Sequence, residues 1–331
     1  MSPGAGSSLS TAEAAAGAVA EPAEDPLLAG LDRPFTILVT GGSGFVGGHL
    51  LTRLVSRGHR ARAVSRRGRP PEEAATPEVT WVAADVAEEG DVRGICEGCD
   101  VVVHLAGLHL AEREGDFQRV HVRGTANVLS EAARAGVERF LLVSALGADH
   151  GSHPWFRSKR EAEDLVRRSP VESVVLRPSL VVGPDDHFAS SLARWIRRLP
   201  VLPVPAAGEG VFRPVDVEDV ADALCQSAER PDLAGRTVAL VGPDRLTMGE
   251  VVLGVSLATG RRRPLVPLPA RLGPPLLRVA RRWSGASGIP VDALELLWRF
   301  RELEPVRDGD AFRSVFHIEP IPFRQALEDY L

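Results

Sequence analysis

The run TILVTGGSGFVGGHL, residues 36–50, constrains this chain more than any other feature. Residues 35–40 (FTILVT) are apolar and rich in β-branched side chains, as a buried strand requires. Gly41, Gly44 and Gly47 follow at once as G-x-x-G-x-x-G, and Val46, Leu50, Leu51, Leu54 and Val55 then recur at helical spacing. The first glycine permits a tight turn. The second lets backbone approach a pyrophosphate, and the third lets helix and strand pack closely. The helix start offers unpaired N–H groups and the positive end of its dipole to that anion. Three glycines alone are a weak signal. A strand before them and an amphipathic helix after them make it a phosphate-binding turn.

The rest of the chain fits such a turn. Residues 60–65 (RARAVS), 79–85 (VTWVAAD), 100–107 (DVVVHLAG), 139–147 (RFLLVSALG) and 173–179 (SVVLRPS) read as strands, most of them continuously apolar. Helical patterns lie between them, one with Val122, Ala126, Leu129 and Ala133 on a single face. Alternating strand and helix with unbroken apolar strands predicts an α/β fold, a doubly wound parallel sheet of Rossmann type, with a smaller C-terminal lobe. After Pro184 the stretch RWIRRLPVLPVPAAGEG reads as Pro-rich loop, and residues 215–229 as a helix returning to the sheet. The expected organisation is a disordered N-terminal tail over 1–34, a dinucleotide-binding domain over 35–229 and a substrate or interaction lobe over 230–331.

The tail is rich in Ala, Gly, Ser and Pro, and carries Glu13, Glu21, Glu24, Asp25 and Asp32 against the lone Arg33. It has neither the basic start and apolar core of a signal peptide nor the arginines of a mitochondrial presequence. A net charge of −5 argues against nucleic acid as a partner. No apolar run is long enough to span a bilayer. Cys96 and Cys99 form a solitary C-x-x-C that runs into a strand rather than opening a helix. With Cys225 they read as small apolar thiols of a reduced, cytoplasmic chain.

An NAD site would place an acid after the second strand, to bond the ribose 2′-hydroxyl. None occurs between Arg53 and Pro71; Arg66, Arg67 and Arg69 stand there instead. Guanidinium groups suit a 2′-phosphate by charge and by their forked donors, so NADP(H) is favoured over NAD(H).

The motifs TGGSGFVGGHL, AADV, VVVHLAG, LLVSALGA, RSKREAE, LRPSLVVGPDD and FRPVDVEDVADAL occur in an order similar to that of the short-chain dehydrogenase/reductases, of the extended and atypical kinds. RVHVRGTANVLSEA and VSALGAD most resemble the branch holding the nucleotide-binding accessory subunit of respiratory complex I and its bacterial relatives. The resemblance implies that Gly41, Gly44, Phe45, Val46 and Gly47 cradle the pyrophosphate and that Arg66 and Arg67 face the adenosine phosphate. It implies that Asp85 and Val86 bracket the adenine, and that Leu105, Ala106 and Gly107 line the ribose. Pro178, Ser179 and Leu180 would flank the nicotinamide. Ser144 and Lys159 would be the catalytic serine and lysine, Lys159 also bonding the nicotinamide ribose.

One position departs from that pattern. The family's enzymes carry a Tyr four residues before the Lys, on the same helix face, as the acid that exchanges a proton while hydride moves. Here Trp155 stands there, and an indole N–H only donates. The one Tyr, Tyr330, is penultimate, and nothing in the sequence directs it to the site. His150, His153, Asp185, Asp186 and His187 lie close enough in sequence to be alternative proton sources. Lys159 could instead pair with Glu163 one turn on.

Residues 251–291 contain no acid, and the stretch 261–283 carries Arg261, Arg262, Arg263, Arg271, Arg278, Arg281 and Arg282 among apolar residues. Its prolines forbid one long helix. Such a segment covers a substrate pocket, docks a protein partner, or lies on the inner face of a membrane as a peripheral contact. The sequence therefore leaves two main classes. One is an accessory or regulatory protein that holds the nucleotide. The other is an oxidoreductase or epimerase acting on a small or lipid-like carbonyl or hydroxyl substrate through a different proton donor.

Overall fold

The computed structural model describes residues 33–68, 76–111, 113–205, 211–269, 272 and 310–331. Residues 1–32 of the expected tail, Arg69 and the arginines at 271, 278, 281 and 282 lie outside them. The strands are β1 (Thr36–Thr40), β2 (Arg60–Ser65), β3 (Val79–Ala83), β4 (Val101–His104), β5 (Arg139–Val143), β6 (Glu172–Pro178), β7 (Val181–Val182), β8 (Leu202–Pro205), β9 (Val211–Phe212), β10 (Val215–Asp216), β11 (Thr237–Leu240), β12 (Leu246–Thr247) and β13 (Leu265–Leu268). The helices are α1 (Phe45–Ser56), α2 (Glu89–Val92), α3 (Gly124–Ala135), α4 (Pro154–Arg167), α5 (Ala189–Arg198), α6 (Val217–Glu229), α7 (Met248–Ala258), α8 (Ala311–Ser314) and α9 (Phe323–Glu328).

Seven strands form one parallel sheet in the order β11-β6-β5-β4-β1-β2-β3. The order reverses between β1 and β4, and at such a point the carboxyl ends of the strands open into a ligand crevice. The unbroken apolar strands are explained by burial on both faces. Ile37 and Val39 of β1 pack with Leu50 and Leu54 of α1 and Leu224 of α6. Leu38, between them, points the other way and packs with Val128 and Ala132 of α3 and Val166 of α4. Each such fully buried aliphatic side chain stabilises by roughly 1.5–3 kcal/mol. β11, beyond residue 230, is the edge strand of this main sheet.

Two expectations change. Residues 194–198, read as the start of a Pro-rich loop, belong to helix α5, whose Leu192, Trp195 and Ile196 are buried against Val251, Val252 and Val255 of α7. The apolar face of α3 is also rotated from the one expected: Thr125, Val128, Leu129 and Ala132 are buried, whereas Ala133 is exposed. A π-helical turn, Gln118–Arg123, leads directly into α3. Its wider turn breaks the 3.6-residue period and brings His121 inward.

The C-terminal segment is fastened by two carboxylates, buried Asp219 and half-buried Asp244. Asp219 accepts the Ile321 N–H at 2.8 Å, and Asp244 accepts the Phe323 N–H at 2.7 Å. Burial pushes the Asp219 carboxyl up to about 7. Phe323, Ala326 and Leu327 of α9 then fill the core they share with α5 and α7.

Candidate functional site

The site is built where β1 and β4 part. Gly41 holds φ at +72°, and a Cβ there would lie 2.9 Å from Ala106 N. Only glycine lets the turn after β1 touch the turn after β4 so closely. A Cβ on Gly47 would meet Gly41 O at 2.4 Å. Gly44 caps α1 with extended backbone; no side chain caps this helix end, and its first turn carries no acid. The N–H groups of Phe45, Val46 and Gly47 are thus left to an anion, and the cradle fits a pyrophosphate. Thr40 Oγ1 accepts from Ala106 N at 3.3 Å and meets His104 Nδ1 at 2.8 Å, fixing Leu105, Ala106 and Gly107 to the end of β1. Burial pushes His104 down to about 3, so its ring is neutral.

The two edges of the crevice differ. Arg66 and Arg67 follow β2 and are exposed, and the positive charge of Arg66 helps to depress the pKa of Asp85 at the end of β3. Asp85 also takes Arg119 at 3.2 Å. Val86 packs against the bare backbone of Gly124, and its carbonyl accepts Asn127 Nδ2 at 3.0 Å. At the opposite edge the Pro178 carbonyl accepts Leu146 N–H at 2.9 Å, Ser179 N–H bonds Leu240 O, and Leu180 is buried beside Trp155 in the lobe core.

Helix α4 carries the remaining candidates. His153 is its N-cap, with Nδ1 accepting the Trp155 N–H at 3.1 Å, and Pro154 opens the first turn. Trp155 is buried, edge-on to Phe156 with ring centroids 4.9 Å apart. Its indole N–H donates to Leu108 O at 2.8 Å. The one proton the indole has is therefore spent on the backbone. Lys159, one turn on, donates to Val143 O at 3.1 Å. Burial depresses its pKa to about 8, against the opposing charge of Glu163. It is the only lysine in the sequence; every other basic chain is Arg. Glu163 is bound elsewhere, to Arg177 at 2.7 Å and Arg167 at 2.6 Å. Ser144 lies close enough to Glu163 to help hold its carboxylate ionised. Yet Ser144 Oγ is shut off from solvent and makes no hydrogen bond of normal geometry among the described residues.

The structure adds His121, which sequence reasoning passed over. Its Nε2 accepts the Leu108 N–H at 2.9 Å, and its Nδ1 sits 2.8 Å from Ser158 Oγ, which itself donates to Trp155 O. That chain requires the proton on Nδ1. Burial pushes His121 well below its usual range, so it is neutral. Trp155 and His121 together grip both polar groups of Leu108. The bare face of exposed Gly107 looks onto both groups: a Cβ there would lie 3.3 Å from Lys159 Nζ and from His121 Nε2. The signal for His121 lay in its place beside Gly124 and Thr125, but the π turn disguised its phase.

The other proton-source candidates fall apart. His150 is exposed beside Asp149, and His187 is exposed with its ring 6.1 Å from that of His109. Asp185 is exposed in left-handed backbone. Tyr330, which nothing in the sequence directed inward, does reach the region: its hydroxyl donates to buried Asp186 at 2.5 Å. Burial and that carboxylate push its pKa upward, the wrong direction for an acid at neutral pH. Burial likewise raises the thiols of Cys96, to about 12, and of Cys99.

Comparison with known proteins agrees with this fold. The model of the NAD dependent epimerase/dehydratase family matches residues 37–242. A ceramide reductase of Caulobacter vibrioides is 33% identical over 234 residues, 70% of this chain and 73% of that one. Subunit 9 of the mouse mitochondrial NADH dehydrogenase [ubiquinone] 1 alpha subcomplex is 31% identical over 195 residues, 58% of this chain. The match spans about half, 51%, of that subunit's length. Among solved structures, MoeE5 in complex with UDP-glucuronic acid and NAD superposes with a TM-score of 0.69 at 23% identity, covering 89% of this chain and 97% of that one; this likeness is one of fold.

Proposed function

The chain belongs to the NAD-dependent epimerase/dehydratase family, and from that premise we propose that it binds NADP(H) and acts as an accessory or regulatory nucleotide-binding protein. One observation carries the reading. The phosphate cradle is intact, while the side chain in the acid's place has no titratable proton and spends its only N–H on Leu108 O. Ser144, shut off from solvent, points the same way. In this reading the N–H groups of Phe45, Val46 and Gly47 hold the pyrophosphate. Gly41 and Gly44, whose own N–H groups bond Val64 O and Gly41 O, shape the turn around it, and Leu105, Ala106 and Gly107 line the ribose. Asp85 and Val86 flank the adenine, and Pro178, Ser179 and Leu180 the nicotinamide. Lys159 bonds the nicotinamide ribose. The cofactor, when bound, supplies hydride chemistry; the chain supplies position.

The 2′-phosphate preference rests on Arg66 and Arg67. Titration of the purified protein by calorimetry should show NADPH bound about 10–100-fold more tightly than NADH, the strength of one or two charge-assisted hydrogen bonds. The double variant Arg66→Ala/Arg67→Ala should lose that preference and keep its NADH affinity. Equal affinities in the unaltered protein would return both arginines to the role of a solvated loop.

A second reading is favoured by the pair at Gly107. Lys159, its pKa lowered to about 8, faces Gly107 and is the group placed to pass a proton to a carbonyl oxygen there, while His121, beside it, holds the Leu108 backbone. The chain would then be a reductase or epimerase, and the likeness to a ceramide reductase suggests a lipid-like substrate. Turnover of NADPH with a long-chain ketone would establish this reading; retention of NADPH without turnover supports the first.

Lys159 can be tested apart from any turnover. Its depressed pKa means that the unfolded chain binds more protons than the folded one between about pH 8 and 10.5. Stability therefore rises with pH across that window, and the cost of burying the charge is complete below it. Lys159→Met removes that cost and one hydrogen bond. The cofactor-free variant should be more stable than the parent by about 2 kcal/mol at neutral pH, an advantage that fades toward pH 10. Its nucleotide affinity should fall at the same time. A variant less stable than the parent would mark Lys159 as a structural residue.

A further inference from the structure

We propose that the C-terminal lobe carries a docking face for an anionic membrane surface, formed by the α5–β8 turn, the outer side of α7 and β13. This goes beyond nucleotide binding and does not depend on it. Among the described residues the exposed large apolar side chains are Val201, Leu253, Leu257, Val266 and Leu272, each 40% to 50% exposed. None of them lies on the seven-stranded sheet or on helices α1, α3, α4 and α6. Leu253 and Leu257 are one turn apart on α7, whose Val251, Val252 and Val255 are buried in the lobe. Val201 and Val266 sit on two segments that pair in parallel, Leu265 beside Leu202 and Val266 beside Pro203.

The charge around them is one-sided, and the fold makes it so. Residues 187–208 contain no acid, and neither do residues 251–291. The first segment holds three arginines and the second seven, in a chain whose net charge is −5. Distant in sequence, their described parts, 187–205 and 251–269, are adjacent in space. Arg261 donates to Arg197 O at 3.0 Å, Arg263 donates to Ile196 O at 3.0 Å, and Leu202 N–H bonds Pro264 O at 2.9 Å. Arg194, Arg197, Arg261 and Arg262 are exposed. Leu331 O accepts from Arg197 at 3.4 Å, which brings the end of α9, with exposed Glu328 and Asp329, to one side of the patch.

Exposed apolar chains on two arginine-bearing, acid-free segments match a surface that is negative outside and apolar just beneath, with the exposed acids Glu250, Glu328 and Asp329 at the ends of the neighbouring helices. An acidic protein would satisfy the arginines but would gain little from five scattered aliphatic side chains. No helix among the described residues is long and apolar enough to cross a membrane, so the contact is peripheral. Helix α5 runs from the loop that holds Asp186 to Val201, a length of about 15 Å. The docked face would hold the site mouth near the lipid surface.

The test is flotation of the full-length protein with vesicles of phosphatidylcholine alone, and with vesicles that are about one-third phosphatidylglycerol. Binding is expected to the anionic vesicles only, and to fall away when salt shortens the Debye length to about 3 Å. Arg197→Glu/Arg262→Glu should weaken it by at least about tenfold, at roughly fivefold for each arginine lost near the surface. Leu253→Ser/Leu257→Ser should weaken it to a similar degree. Both double variants should keep the parent's thermal unfolding and NADPH affinity, since all four side chains face solvent. Failure to float with anionic vesicles, equal flotation with neutral ones, or flotation that both double variants retain would each overturn the proposal.

Discussion

Gly47→Ala should weaken dinucleotide binding by at least about 100-fold, whereas Gly48→Ala, one residue on, should leave it intact. Both glycines lie in the first turn of α1, and both substitutions add one methyl group. At Gly47 that methyl would sit 2.4 Å from Gly41 O and 2.9 Å from both Cα and O of Gly42. These are backbone atoms of the turn itself, so relief requires the turn to move off the helix. The free N–H groups of Phe45, Val46 and Gly47 would move with it. At Gly48 nothing lies within 4 Å of the added carbon. There the change only trades glycine for a better helix former, a gain of up to about 1 kcal/mol. Calorimetry with NADPH reads the binding and thermal unfolding reads the fold. A Gly47→Ala protein that binds like the parent would mean that the nucleotide, if held at all, is held elsewhere.

The contrast between these two glycines could be drawn from the sequence only in part. Spacing placed Gly41, Gly44 and Gly47 in a phosphate turn because a strand and an amphipathic helix flank it, and such local patterns leave a mark on every few residues. The parallel sheet was legible for the same reason: Ile37, Leu38 and Val39 are all apolar because both faces of β1 are covered. What failed was whatever depended on phase or on distance. Helix α5 hid behind its arginines and the prolines that follow it. The π turn before α3 shifted the apolar face by one position and concealed His121. Tyr330 meets Asp186 across 144 residues, and no local pattern records that contact. The same holds for the two acid-free segments, each visible alone and joined in space by the pairing of β8 with β13 and by the bonds of Arg261 and Arg263 to the end of α5. The resemblance put Trp155 where the family's acid is expected, but the use of its N–H on Leu108 needed coordinates.

That hydrogen bond decides what Trp155→Tyr should do. A phenol at this position stands one helical turn before Lys159, whose ammonium favours the ionised phenol and lowers its pKa. Restoring a general acid is worth about 10²–10⁴ in rate where geometry permits. NADPH oxidation with a panel of aliphatic and aryl ketones should therefore rise at least about 100-fold over the parent. The substitution also loses the indole N–H and leaves Leu108 O without its donor, at a cost of about 1–3 kcal/mol. Trp155→Phe pays the same structural cost and adds no acid, so it separates the two effects. Tyr and Phe variants equally destabilised, with turnover in the Tyr variant alone, would identify the acid as what this chain lacks. Equal inactivity would show that the loss runs deeper. The buried Ser144, closed against Glu163, and the clamp of His121 on Leu108 would then be parts of a pocket rebuilt to hold a nucleotide rather than to turn it over.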